Sequence, residues 1–380
     1  MPHNATLSPM VNPPPPGYGP PPGHYGPPPG YPAYPPPGYG PPPGYYGPPP
    51  GYFGPPPGYP QPELKPGVIP LRPLSLTELY NGAVGYVRAN PKVVLGLTAI
   101  VVVTTQILNG FAQVGLLSAL GPSHESTEPS LGDVVPWLTV IIGAGLVTAL
   151  GTIVLTGMLT AVVGRAVFGS PITIGEAWAI ARNRFAALIG VAALFGVAAM
   201  LLLAVVVAAI VSAGATAGVG AAVLIGLPLM LGLIGALGFG YAALVFAPTV
   251  IVLERQPVFE AIRRSYALVR NSFWRVLGIM ALTGLIASVI SSAVAFPFEM
   301  LGMIFTHGAD VTSGLAQLSV FGRVGATIGQ IIVLPFSAGV AVLLYTDRRI
   351  RAEAFDLVLR TGAIGGPYPG STDGLWLTRR

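Results

Sequence analysis

Eighteen of the nineteen Lys and Arg residues in this 380-residue chain fall on one side of six long apolar stretches. The stretches cover residues 93–120, 134–163, 186–212, 219–253, 276–297 and 324–345. A helix needs roughly 20 apolar residues to cross the hydrocarbon of a bilayer, and each stretch meets that length. Charged residues make up 9% of the chain, against about 25% in a typical soluble domain, which is too few to cover a water-facing surface. The expected fold is an all-α, polytopic membrane bundle of six spans. Several stretches exceed the minimum and are expected to tilt, kink or project, with Pro228 as the expected kink in the fourth.

The connections set the orientation. The first outer loop holds Glu125, Glu128 and Asp133 without Lys or Arg. The second, around 213–218, is uncharged, and the third holds His307 and Asp310 with Arg323 at its end. Lys65, Arg72, Arg88, Lys92, Arg165, Arg182, Arg184, Arg255, Arg263, Arg264, Arg270, Arg275 and all six later arginines lie on the other side. The positive-inside rule then places both termini in the cytoplasm, with the chain crossing its membrane several times. The N-terminus lacks a basic region followed by an apolar core, so no cleavable signal peptide is expected.

Residues 1–66 differ in kind. The unit PPPG recurs seven times, usually followed by Tyr: Tyr18, Tyr31, Tyr39, Tyr45, Tyr52 and Tyr59. Pro fixes φ and removes a donor, and Gly restores freedom. Such a segment cannot bury a core; it is expected to be disordered, with short polyproline II runs. Two readings stand. It is an extended spacer, or a multivalent strip on which Tyr rings act as weak contacts for cytoplasmic protein partners. Residues 67–360 form the membrane domain, and 361–380 a short cytoplasmic tail.

Each pair of spans follows an amphipathic segment on the basic side. The first two segments open with capping boxes, Ser75 with Glu78 and Thr173 with Glu176; the third opens with Pro257 and Glu260. They close at Asn90, Asn183 and Asn271, separated by 93 and 88 residues. In the third, Phe259, Ile262, Tyr266, Val269 and Phe273 recur at helical spacing. A helix of that kind lies in the headgroup plane. The domain therefore reads as three copies of interfacial helix, span, short loop, span. A fourth amphipathic segment is expected at 347–356.

The basic collar is either the topology determinant alone or a surface for anionic headgroups, worth about 1 kcal/mol per basic residue near the membrane. Arg263, Arg264, Arg270, Arg348, Arg349 and Arg351 are the residues for the second role. Within the first span, Gln106, Asn109 and Gln113 share one helix face, and Gln330 on the sixth span can join them. Such groups bond between helices, at about 0.6 to 2 kcal/mol each, or line a polar cavity. No chain of buried acids suited to a proton relay is evident. Glycines at 143, 145, 190, 196, 226, 232, 235, 238 and 240 are expected to allow close helix approach.

With no Cys and four scattered His residues, thiolate and histidine metal sites are excluded. No GxSxG, HExxH or phosphate-loop context occurs. No cofactor and no nucleic-acid partner are expected.

Residues Pro70 to Ala83 followed by Arg88-Ala89-Asn90-Pro91, then Val252-Leu253-Glu254-Arg255-Gln256-Pro257 with Ala261 to Ser265, and Leu343 to Arg351 with Phe355-Asp356, together resemble an actinobacterial membrane-domain family. That domain also occurs attached to some glycerophosphoryl diester phosphodiesterases. With the PPPGY segment, the chain is similar to mycobacterial proline- and glycine-rich transmembrane proteins. The resemblance covers roughly 68–360 and implies an inner-membrane protein of unassigned function. The phosphodiesterase activity is not implied, since only about 20 residues follow the last helix and they leave no room for the catalytic barrel. The expected function is a non-enzymatic membrane organiser whose tail recruits partners or self-associates. The alternative is a transport or lipid-handling bundle.

Overall fold

The computed structural model describes residues 67–70, 72–120, 131–305, 311–358 and 373–377. The side chains of 113–120, 131–138, 141 and 311–319 lie outside that description. So do the six tail tyrosines named above, and Glu125, Glu128, His307 and Asp310 of the outer loops.

The described residues form helices and contain no strand. In chain order these are α1 (Leu76–Ala89), α2 (Pro91–Leu120), α3 (Leu131–Val167), α4 (Ile174–Arg182), α5 (Phe185–Leu244), α6 (Ala247–Thr249), a π turn (Val250–Glu254), α7 (Val258–Arg270), α8 (Phe273–Phe305), α9 (Val311–Glu353) and a 3-10 turn (Asp373–Trp376). Among the described residues, five helical segments are long and apolar enough to cross a membrane: Pro91–Ala112, Ile142–Val167, Phe185–Glu254, Phe273–Phe305 and Val320–Glu353. These make it a membrane-embedded protein.

The third segment is the most apolar of the five and is longer than any bilayer requires. A straight helix of 60 residues would reach about 90 Å, three times the hydrocarbon thickness. It is broken at Gly218, where φ is +82°, a conformation glycine adopts without the cost other residues bear. The two halves then lie side by side and antiparallel. A Cβ built on Gly240 would lie 3.0 Å from Phe195, one on Gly226 3.4 Å from Ile210, and one on Gly214 3.4 Å from Ala222. The non-helical residue is Gly218; the chain stays helical through Pro228.

The short helices start and stop where the sequence places their signals. Ser75 and Thr173 cap α1 and α4 in reciprocal capping boxes with Glu78 and Glu176. Asn90, Asn183 and Asn271 are the C-caps of α1, α4 and α7. Pro257 is the N-cap of α7. These helices do more than float at an interface. The face of α1 formed by Leu79, Gly82, Ala83 and Tyr86 is buried. Tyr86 donates its hydroxyl to the Pro335 carbonyl inside α9, and its burial pushes its pKa above the ordinary phenol value. On α7 the buried face is Ala261, Ser265, Leu268 and Val269, whereas Phe259 is 80% and Tyr266 48% exposed. Phe259 and Tyr266 of the stripe read from the sequence thus face outward, while Val269 of the same stripe is buried with Ala261, Ser265 and Leu268 against the protein.

Two further differences shape the base of the bundle. The expected fourth amphipathic segment is the continuous end of α9, which runs to Glu353 and stops at Ala354 with φ +51°. The close-packing glycines are mostly others than those expected. A Cβ on Gly143, Gly145, Gly196, Gly232, Gly235 or Gly238 would meet nothing within 4 Å. By contrast, one on Gly325 would sit 2.8 Å from the Ala295 Cα, and one on Gly329 2.7 Å from the Ser291 Oγ, so α8 and α9 touch nearly backbone to backbone there.

Candidate functional site: the charged base of the bundle

The basic side of the bundle is organised around two carboxylates with fully buried side chains, Glu254 and Asp347. An ionised carboxylate taken out of water needs compensating charge and hydrogen bonds, and each acid finds both.

Glu254 ends the π turn, where Arg255 takes a left-handed φ of +58°. It accepts from Arg264 Nε at 3.2 Å and from the Tyr345 hydroxyl, and Arg349 Nη1 lies 3.7 Å away. Glu353 closes the network from outside, 2.6 Å from Arg264 and 3.1 Å from Arg349. Burial works against the Arg264 charge, but hydrogen bonding to Glu353 and the charge of Glu254 outweigh it and hold its pKa above the ordinary guanidinium value. Arg349 also donates to the Trp376 carbonyl at 3.1 Å and lies 4.1 Å from the Phe355 ring centre. Trp376 is 2% exposed and packs against Phe168, Tyr345 and Phe355. Asp373, in the same turn, takes two 3.0 Å bonds from Arg165. The third Arg165 nitrogen lies 3.3 Å from Glu176 as an ion pair, outside hydrogen-bond geometry. Residues 373–376 therefore dock onto the membrane domain through charge and aromatic contact alike.

Asp347 works on the opposite terminus. It accepts from the Leu74 amide at 2.8 Å and from Arg351 at 2.9 Å, with Arg275 at 3.4 Å. The Leu74 carbonyl in turn accepts from Arg275 at 2.9 Å and from Arg351 at 3.0 Å. Leu74, two residues before α1, is thereby fastened to the start of α8 and the end of α9, the latter across 273 positions of sequence.

The six collar arginines divide. Arg263 and Arg270 are exposed, Arg263 pairing at the surface with Glu260 at 2.9 Å. Arg264, Arg349 and Arg351 are engaged by the buried acids, and Arg348, 8% exposed, donates to the Leu268 carbonyl at 3.3 Å. Buried side chains such as Arg348 and Arg349 are not placed to reach headgroups. The polar face of the first span also divides: Asn109 donates to Thr148 on α3 at 2.9 Å, and its Oδ1 is buried without a partner. Gln106 and Gln330 are half-buried, and the Gln113 side chain lies outside the described residues. Sequence reasoning, which found no buried acidic chain, passed over Glu254 and Asp347. Their signal was an acid at the very end of an apolar run with Arg close behind, as in Leu253-Glu254-Arg255 and Thr346-Asp347-Arg348.

Chemically, this base is a set of ionic locks. Each buried carboxylate is held by two or more cationic or hydroxyl donors. Among the described residues no group of three or more His, Asp or Glu is arranged to hold a metal ion.

A family model described as a domain of unknown function, DUF7847, matches residues 74–348. The chain belongs to this family. No curated protein and no solved structure matches it. The DUF7847 match opens at Leu74 and closes one residue after Asp347, the pair that the second lock joins, so the two ends of the domain are bonded to each other. The docked turn Asp373–Trp376 lies beyond the matched residues.

Proposed function

We propose that this DUF7847 protein is a non-enzymatic membrane organiser that presents its Pro/Gly/Tyr-rich N-terminal segment from a fixed point on the cytoplasmic face of the plasma membrane. The observation that carries the reading is the lock on Leu74. The chain that follows residues 1–66 is held by Asp347, Arg275 and Arg351, so whatever the segment recruits is tethered to a rigid base. Engagement of the arginines by buried acids favours a structural base over a site for chemistry.

The topology proposed with it has six crossings, α5 counting as two because of the break at Gly218, and three repeats of short helix plus two spans, each short helix ending at a capping Asn. Both termini are cytoplasmic, as the one-sided Lys and Arg require. Arg263 and Arg270 are the collar residues exposed enough to meet anionic lipid headgroups.

The test is in-membrane cross-linking of the full chain and of a form lacking residues 1–60, with cross-linked peptides read by mass spectrometry. Contacts to other proteins or to other copies should vanish with the segment, while insertion and the unfolding midpoint stay unchanged. A silent deletion overturns the reading.

A further inference from the structure

Between α3, α5, α8 and α9 lies a cavity of about 380 Å³ with almost wholly apolar walls, within the roughly 300–1,000 Å³ range of small-molecule sites. Thr156, Met280, Ser337 and Ala338 are among its lining residues, and Phe195 and Tyr241 are among those that α5 contributes. Every helix around it belongs to a membrane-length segment, so its open side faces hydrocarbon. Met280 is seven residues into α8, about 10 Å at 1.5 Å per residue. Leu188 to Phe195 are three to ten residues into α5, about 5 to 15 Å. On α5 and α8 the cavity therefore begins near the basic-side ends of the helices, and on α3 and α9 it reaches toward the middle of the membrane.

We infer that this cavity holds one acyl chain of a phospholipid drawn from the leaflet on the basic side. Three observations carry this. No acidic or basic side chain lines the cavity among the described residues, so it offers no counter-charge to an ion. The Thr152 hydroxyl on its wall is already spent on the Thr148 carbonyl at 2.8 Å. An apolar void of this size does not hold water, and leaving it empty forfeits packing on every wall. The filler present at high concentration around such an opening is the lipid chain. Tyr241, a lining residue that is 48% exposed, brings a hydroxyl to this largely apolar wall. The inference concerns the bundle interior and holds whether or not residues 1–66 recruit partners.

The experiment is native mass spectrometry of the full-length protein, washed in detergent and then offered equal amounts of dioleoyl phosphatidylethanolamine and dioleoyl phosphatidylglycerol. One phospholipid should be retained per chain, held at least tenfold more tightly than the next. Ala338→Phe should lower that occupancy at least tenfold, and Leu201→Phe, on a lipid-facing part of α5 with 63% exposure, should leave it unchanged. If Ala338→Phe fails to fold, Ser337→Leu fills the same space with less bulk. Retention that is equal in a filled variant with a normal unfolding midpoint, a wild type that keeps no lipid, or retention of detergent in place of phospholipid would each overturn the inference.

Discussion

The α5 hairpin and the charged base obey opposite solvation rules within one domain. Along α5 the most apolar stretch is almost entirely unburied, and residues such as Val219, Leu224 and Leu227 are more than 60% exposed. Hydrocarbon is its solvent, so nearly any apolar side chain serves and few contacts are specific. At the base, Glu254 and Asp347 are withdrawn from every solvent, and each must meet named partners at hydrogen-bond distance. The lesson is where specificity resides: composition is enough in the membrane, while at the base single side chains decide whether the fold closes.

Substitutions at the two regions can break that contrast. The largest effect should come from Glu254→Ala, which leaves Arg264 and Arg349 without their buried counter-charge. Breaking a buried pair on one side costs roughly 3–5 kcal/mol, and the thermal midpoint in detergent should fall sharply, whereas Leu224→Ala on α5 should hardly move it. Trp376→Ala should cost about 3 kcal/mol, the low end for a buried Trp, because a short turn can shift to fill the gap. Protease cleavage near residues 373–377 should accelerate in parallel. Gly329→Leu should cost about 1–3 kcal/mol through overpacking against Ser291, while Gly235→Leu, facing open space, should be silent by the same measurement. If the two glycine variants behave alike, the α8–α9 contact is not as close as described.

The smallest effects belong to the capping boxes. Ser75→Ala and Thr173→Ala should each cost about 1 kcal/mol. Glu78 and Glu176 accept backbone and side-chain bonds from Ser75 and Thr173, and these bonds, foremost, lower their pKa below the ordinary 4.5. Their contribution is therefore present above pH 4.5 and is lost as pH falls through the lowered folded-state values. The thermal midpoint should drop in that acid window, and Glu78→Gln combined with Glu176→Gln should flatten that part of the profile.

What was legible in the sequence was local. Ser75 and Glu78 are three residues apart, and Asn90, Asn183 and Asn271 each end a helix with their own backbone, so pattern and structure agree. The ion pair of Arg349 with Glu254 and the hydrogen bond from the Leu74 amide to Asp347 were illegible, because their members are brought together only when distant helices pack. The burial of Ala261 and Ser265 on α7 was hidden for a related reason. Helical spacing reveals a stripe, but the neighbour decides which stripe is buried, and Ala261 and Ser265 allow a closer approach than aromatic rings do.

By itself the sequence determined an all-helical, membrane-embedded chain, because transfer of apolar residues into hydrocarbon depends on composition and length and not on partners. Only the tertiary structure decided which arginines are held by buried acids, which glycines bring helices into contact, and that the turn at Trp376 docks beside Arg349. Those outcomes depend on distances between residues far apart in the chain, and distance across a folded interior is not written in the order of the residues.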